Sequence, residues 1–112
     1  MDPRREHVKR LLQVDAHLTD MDGQHNEATQ IIDISRHGVA FLSEHAMPIG
    51  ENFVLHFSFP GCDLVNHVAL TVLHSAHIGS HGRYRNDAYF LSMPADCAIK
   101  IADYLTSPPE AE

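Results

Sequence analysis

Apolar and polar residues alternate with period two over most of this 112-residue chain, and glycine or proline cuts each alternating run. No other feature limits the fold as much. Period two gives a strand one apolar face, whereas a helix needs a period near 3.6. Leu12, Val14, Ala16 and Leu18 alternate with Gln13, Asp15 and His17, which predicts a first, half-buried strand. Asp22-Gly23 suits the positive φ angles of a hairpin turn, and residues 28–35 read as the return strand. Gly38 breaks that run, and residues 39–43 form a short third strand. Pro48 and Gly50 punctuate the next loop. Phe53, Leu55, Phe57 and Phe59 then share one face, the clearest strand of the chain and a core stripe. Pro60-Gly61 ends it. Val68, Leu70 and Val72 mark a longer strand over residues 65–78. A turn from Gly79 to Gly82 leads into a sixth strand over residues 83–91, marked by Tyr84, Ala88 and Phe90.

The period changes near the C-terminus. Ala98, Ile101, Ala102 and Leu105 are spaced i, i+3, i+4, i+7, the stripe of an amphipathic helix. Pro94 before it and Asp96 in its first turn are ordinary helix-entry chemistry, and Ser107-Pro108-Pro109 stops it. Six short strands linked mostly by tight turns, followed by one helix, predict an all-β domain. The expected form is a six-stranded antiparallel β-barrel with a C-terminal α-helix across one opening or flank. Closure removes the exposed strand edges that a small sheet would otherwise present. There is no long repeat and no low-complexity tract. The expected division is a flexible basic arm over residues 1–10, the barrel and helix over 11–106, and a disordered tail over 107–112.

Composition narrows the function. Hydrophobic residues make up 44% and charged residues 21%, which excludes wholesale disorder. No apolar run approaches the roughly 20 residues that span a bilayer, so membrane insertion is not expected. Met-Asp-Pro-Arg-Arg lacks the apolar stretch of a secretory signal. Cys62 and Cys97 are too few for a disulfide framework and suit a reducing cytoplasm. Formal net charge is −7, a poor basis for neutralising a phosphate backbone, so nucleic acid is not an expected partner. The charge is uneven, however. Arg4, Arg5, Lys9 and Arg10 oppose only Asp2 and Glu6 in the first ten residues, while the rest holds four basic and thirteen acidic residues. A small basic arm on an acidic body suits a compact anion better than a duplex.

Two segments carry chemistry. Asp33-Ile34-Ser35-Arg36-His37-Gly38 puts a carboxylate and a hydroxyl two apart on a strand, hence on one face, next to a glycine turn. A carboxylate there can accept two hydrogen bonds from adjacent N–H groups, as on a guanine Watson–Crick edge. The arm, Arg4-Arg5-Glu6-His7-Val8-Lys9-Arg10, offers guanidinium groups that stack on a base and fork onto a phosphate. His74-x-x-His77-x-x-x-His81 has the donors of a metal set. Positions three apart face opposite sides of a strand, though, and no cysteine pair has zinc spacing, so no metal is expected. Ser35 and His37 lack a nucleophile-elbow context, so no catalytic residue is expected.

In order and strand context these segments resemble the PilZ domain family, bacterial receptors for cyclic di-GMP. That family's pattern is an Arg-x-x-x-Arg arm before the first barrel strand, followed by (Asp/Asn)-x-Ser-x-x-Gly at the end of the second. Arg4-Arg5-Glu6-His7-Val8-Lys9 looks like the arm and Asp33 to Gly38 looks like the motif. Gly38-Val39-Ala40-Phe41-Leu42, Pro48-Ile49-Gly50-Glu51, Gly82-Arg83-Tyr84-Arg85 and Ala88-Tyr89-Phe90 extend the likeness over roughly residues 4 to 106. The resemblance implies a single-domain, non-enzymatic cytoplasmic signalling module. Its ligand would be cyclic di-GMP, with no cofactor, and its output an unknown protein effector. Arg4, Arg5, Lys9 and Arg10 would close over the ligand, and Asp33 and Ser35, beside Gly38, would read guanine. The arm would order on binding, at an entropic cost, and create a new surface for the effector.

Two departures stand out. Lys9 occupies the second arginine position, keeping the charge but losing a planar fork. That substitution supports the alternative of a PilZ-fold adaptor that has lost ligand binding and acts only by protein–protein interaction. Asp87 stands where relatives often have glycine, and it is not expected to touch the ligand.

Overall fold

A computed structural model describes residues 9–79 and 82–106. Arg4, Arg5, most of the expected arm and the tail 107–112 lie outside the described residues. The chain forms six strands and a helix: β1 (Lys9–Asp20), β2 (Asn26–Ser35), β3 (Gly38–Ser43), β4 (Asn52–Phe57), β5 (Asn66–Ile78), β6 (Arg83–Ser92) and α1 (Ala95–Thr106). The strands close into a barrel in the order β1-β2-β3-β6-β5-β4, and every neighbouring pair is antiparallel.

Hairpin chemistry accounts for the tight links. Gly23 has φ +77°, and its N–H donates to the Asp20 carbonyl at 2.9 Å. The Asp20 carboxylate accepts from Gln24 N–H at 2.9 Å and Asp22 N–H at 3.1 Å. These backbone donors, Gln24 first, hold the Asp20 carboxyl below its usual range. At Pro60-Gly61 the Cys62 N–H bonds to the Phe59 carbonyl at 3.0 Å, so β4 stops at Phe57 and Phe59 packs from the loop.

The interior is filled by the apolar phase of each strand. Leu12 and Leu18 come from β1, Ile31 and Ile34 from β2, Val39 and Phe41 from β3, and Leu55 and Phe57 from β4. Val68, Leu70 and Val72 from β5 and Phe90 from β6 complete it. Each such large side chain contributes about 1.5–3 kcal/mol by leaving water. Asn86 is the polar exception, fully buried on the inner face of β6. Its amide donates to Ser43 Oγ at 2.9 Å and to the Phe41 carbonyl at 3.2 Å, tying β6 to β3.

The helix stripe differs from the expected one. Cys97 and Ile101 are buried and Tyr104 and Leu105 partly so, while Ala98 is exposed. Tyr104 turns the helix by about one position. Its ring lies 5.3 Å from the Phe59 ring, and its hydroxyl donates to the Leu11 carbonyl at 2.5 Å. Burial raises the Cys97 thiol above its usual range, as suits a thiol used for packing. Among the described residues no helix is long and apolar enough to cross a membrane.

Candidate ligand-binding site

Sequence alone does not say which face of β2 carries Asp33 and Ser35. Ile31 and Ile34 both point inward, although an unbroken strand would put positions three apart on opposite faces. The reason is a bulge. Ile31 pairs with Phe41 and Asp33 with Ala40, so Ile32 is the extra residue against β3. The bulge reverses the phase and sends Asp33 and Ser35 to the outer surface. A second bulge, between Val72 and His74 on β5, sets Leu73 on the surface near the same place, 55% exposed.

Ser35 and Gly38 then build the β2–β3 turn. The Ser35 hydroxyl accepts from Gly38 N–H at 3.2 Å and His37 N–H at 3.3 Å, and donates to the Gly38 carbonyl at 3.3 Å. One donor and two acceptor sites are a hydroxyl's whole capacity. In this geometry Ser35 therefore shapes the turn, and Asp33 is the side chain of the pair left facing the outer surface. Gly38 is needed for a reason other than turn freedom. Its φ is ordinary, but a Cβ there would lie 2.2 Å from the Ala88 carbonyl oxygen of β6. Only glycine lets β3 and β6 approach so closely, and the Phe90 N–H closes the junction on the His37 carbonyl at 2.8 Å.

These features leave a concave site of about 210 Å³ lined by Lys9, Asp33, Ser35, His37, Gly38, Val39, Ala40, Leu73, Asp87, Ala88 and Tyr89. Strand register explains the convergence. Lys9 pairs with Ser35, Asp33 with Ala40, Ala40 with Asp87, and Gly38 with Tyr89. The small side chains of β3 make the floor, Tyr89 and Leu73 make apolar walls, and Lys9 and Asp33 bring opposite charges.

Arg85, part of the family likeness, was not among the expected site residues. It shares the outer face of β6 with Asp87 and Tyr89 at period two, the one signal that pointed to it. Its Nη2 lies 3.7 Å from Asp33 Oδ2 and 3.7 Å from Asp87 Oδ1, and His74 Nδ1 lies 3.9 Å from Asp87 Oδ2. Asp87, expected to stay clear of any ligand, thus lines the site.

Lys9, Asp33, Ser35 and Gly38 come together, and Arg10 does not join them. Arg10 and Lys9 already belong to β1, not to a free arm, so their side chains take opposite faces. The Arg10 guanidinium sits 4.4 Å from the Tyr104 ring centroid and donates to the Tyr104 carbonyl at 2.6 Å. That carbonyl lies in the last turn of α1, where a cation is favoured.

The model of the PilZ domain matches residues 3–105. This chain belongs to the PilZ domain family. No curated protein matches it by sequence. Among solved structures it is similar to the inhibitor of motility MotI/DgrA of Bacillus subtilis, with TM-score 0.75 and 14% identity over 88% of this chain and 47% of that one. It is similar to the PilZ domain of YcgR from Escherichia coli with c-di-GMP, with TM-score 0.61 and 14% identity over 87% and 85%. It is also similar to apo MrkH of K. pneumonia, with TM-score 0.66 and 18% identity over 94% and 50%. The chain thus spans about half the length of MotI/DgrA and of MrkH. A further MrkH structure is described as a c-di-GMP-dependent transcription regulatory factor. The exclusion of nucleic acid, drawn from net charge, therefore finds no support among these neighbours.

The PilZ barrel carries a second polar cluster on its outer surface. His17, His56 and His67 stand in one register row across β1, β4 and β5. The His17 and His56 rings stack at 4.6 Å with an interplanar angle of 10°, and His56 Nδ1 meets His67 Nδ1 at 2.6 Å. Near-parallel rings cannot both aim a lone pair at one ion, and among the described residues no group of three donors is placed to hold a metal. Burial first, then the neighbouring His17 and His67, push His56 below the usual imidazole range. His74 faces Asp87 while His77 meets the Tyr84 ring at 5.2 Å, so these two do not form a pair either.

Proposed function

We propose that this PilZ domain is a cytoplasmic receptor for cyclic di-GMP that relays binding to a protein partner and carries out no catalysis. The observation that carries this reading is the meeting of Lys9, Asp33, Gly38 and Tyr89 in one outer-face pocket, from strands far apart in sequence. Asp33 is 17% exposed, enough to accept two parallel hydrogen bonds from the N1–H and exocyclic amine of guanine. Adenine presents no such pair of donors, so Asp33 supplies the selectivity. Tyr89 and Leu73 offer apolar surface to the base. Lys9 neutralises a phosphate, and Arg4 and Arg5, outside the described residues, would add positive charge to the same ligand.

Size fits this division of labour. A site of about 210 Å³ is below the roughly 300–1,000 Å³ of a typical enclosed ligand pocket. It suits one guanine base and leaves the rest of the dinucleotide outside the hollow. A larger cleft of about 350 Å³ presents Asp15 and Glu44 against Arg83, a net negative lining that disfavours a dianion.

Titration calorimetry with cyclic di-GMP tests the reading, with cyclic di-AMP and GTP as controls. Saturable heat selective for cyclic di-GMP supports it. A second reading, a ligand-blind adaptor, is favoured by Lys9 at the arginine position and by the Arg85–Asp33 ion pair. Absence of heat and of thermal shift with every nucleotide would select that reading.

A further inference from the structure

Arg85 lies between two carboxylates and commits to neither. Its Nη2 is 3.7 Å from both Asp33 Oδ2 and Asp87 Oδ1, close enough for ion pairing but too long for a direct hydrogen bond. Arg85 is 40% exposed and Asp87 44%, so that pairing is weak and screened, while Asp33 is 17% exposed and screened less. Moving such a guanidinium from one partner to the other costs little. The two partners differ in what else they do. Asp33 faces the pocket as its guanine acceptor, whereas Asp87 lines the wall and has His74 as its other neighbour.

We infer that Asp87 sets the affinity of the site by holding Arg85 back from the ligand's phosphate. This rests on the reading of the pocket as a cyclic di-GMP site. When guanine donors engage Asp33, Arg85 loses that partner. It then has two anions within reach, the Asp87 carboxylate and the incoming phosphate. Asp87 competes with the phosphate for it, and adds a like charge beside the phosphate. A five-donor guanidinium that could fork onto phosphate is thereby kept as a counter-ion within the protein. Lys9 on β1 is the one lysine or arginine lining the pocket among the described residues, so a released Arg85 turning toward it from the same face of β6 would double that positive charge.

The test is a double-mutant cycle on the full chain, read by calorimetry with cyclic di-GMP at two salt concentrations. Asp87→Asn keeps the side-chain shape and removes the charge. It is expected to tighten binding about tenfold and to steepen the salt dependence, because a new ion contact forms. Arg85→Gln alone is expected to change affinity less than twofold, since Arg85 is restrained in the parent protein. In the Arg85→Gln background, Asp87→Asn should lose most of its gain.

An equal gain in both backgrounds would overturn the proposal, because simple removal of repulsion would then account for it. No gain, or weaker binding, in Asp87→Asn would overturn it as well. If neither the parent nor Asp87→Asn binds cyclic di-GMP, the ligand reading itself fails and takes this inference with it. A parent that binds while the variant is unchanged removes only the role of Asp87. Thermal melts of all four proteins verify that each is folded.

Discussion

Two outer faces of this barrel are built by the same rule and end in different chemistry. On β2, β3 and β6, register lines up Asp33, Ala40 and Asp87; on β1, β4 and β5 it lines up His17, His56 and His67. In the second row adjacent strands bring polar rings into contact, whereas in the first Ala40 separates the two aspartates, which Arg85 bridges. The middle residue makes the difference. Ala40 is small, and beside Gly38 it leaves a hollow that flanking charges and Tyr89 surround. His56 is large and fills its position, stacking on His17 and meeting His67 edge-on. The small residue leaves a hollow between charges of both signs, whereas the rings spend their faces on one another and the hollow of about 300 Å³ beside them has Asp15 as its charged lining.

The largest expected effect comes from closing the first face. Gly38→Ala places a methyl 2.2 Å from the Ala88 carbonyl, so β3 and β6 must separate. A loss of about 3 kcal/mol in denaturant unfolding is expected, together with loss of ligand binding. A variant of parental stability would show that the β3–β6 junction yields easily. Next comes Asp33→Ala, which removes the proposed guanine acceptor altogether. Affinity for cyclic di-GMP should fall by about 10- to 100-fold, while the melting temperature stays within a few degrees. A large drop in melting temperature instead would make Asp33 a structural anchor for Arg85.

The second face should answer to pH and not to ligand. The His56 imidazole has its pKa lowered in the folded state, so below the unfolded value of about 6.5 the unfolded chain binds a proton that the native one resists. Stability is therefore full above that value and declines as pH falls toward the depressed one. His56→Gln should flatten this decline in melting temperature between pH 7 and pH 5. An unchanged slope would place the dependence on other groups. The smallest effect is expected from Lys9→Arg, a gain of about threefold in affinity from the added fork. Because Arg10 is held by Tyr104, it does not already fill that role. No gain would show that charge alone serves at this position.

The strands were legible because their signal is local. Period two and the turn glycines located all six to within a few residues, with β1 starting earlier, at Lys9, and β4 stopping at Phe57. The helix was legible in place but not in face, since Cys97 and Tyr104 rank low as apolar residues yet carry its packing. Asp33 and Gly38 stood out from their spacing, but not the reasons for them. The phase of Asp33 depends on the Ile32 bulge, and the need for Gly38 lies in the Ala88 carbonyl across β6. The missed residues share one cause. Arg85 reaches Asp33, and His17 reaches His56, only through pairings between distant strands. No local period encodes those registers.

The proposed ligand should meet the Asp33 face and not the histidine row. Amide chemical-shift mapping during a cyclic di-GMP titration reads both faces in one experiment. Shifts should concentrate at Lys9, residues 33–40, Leu73 and residues 85–89, with His17, His56 and His67 unmoved. Saturable binding that instead perturbs the histidine row, or the cleft around Asp15 and Glu44, would contradict it.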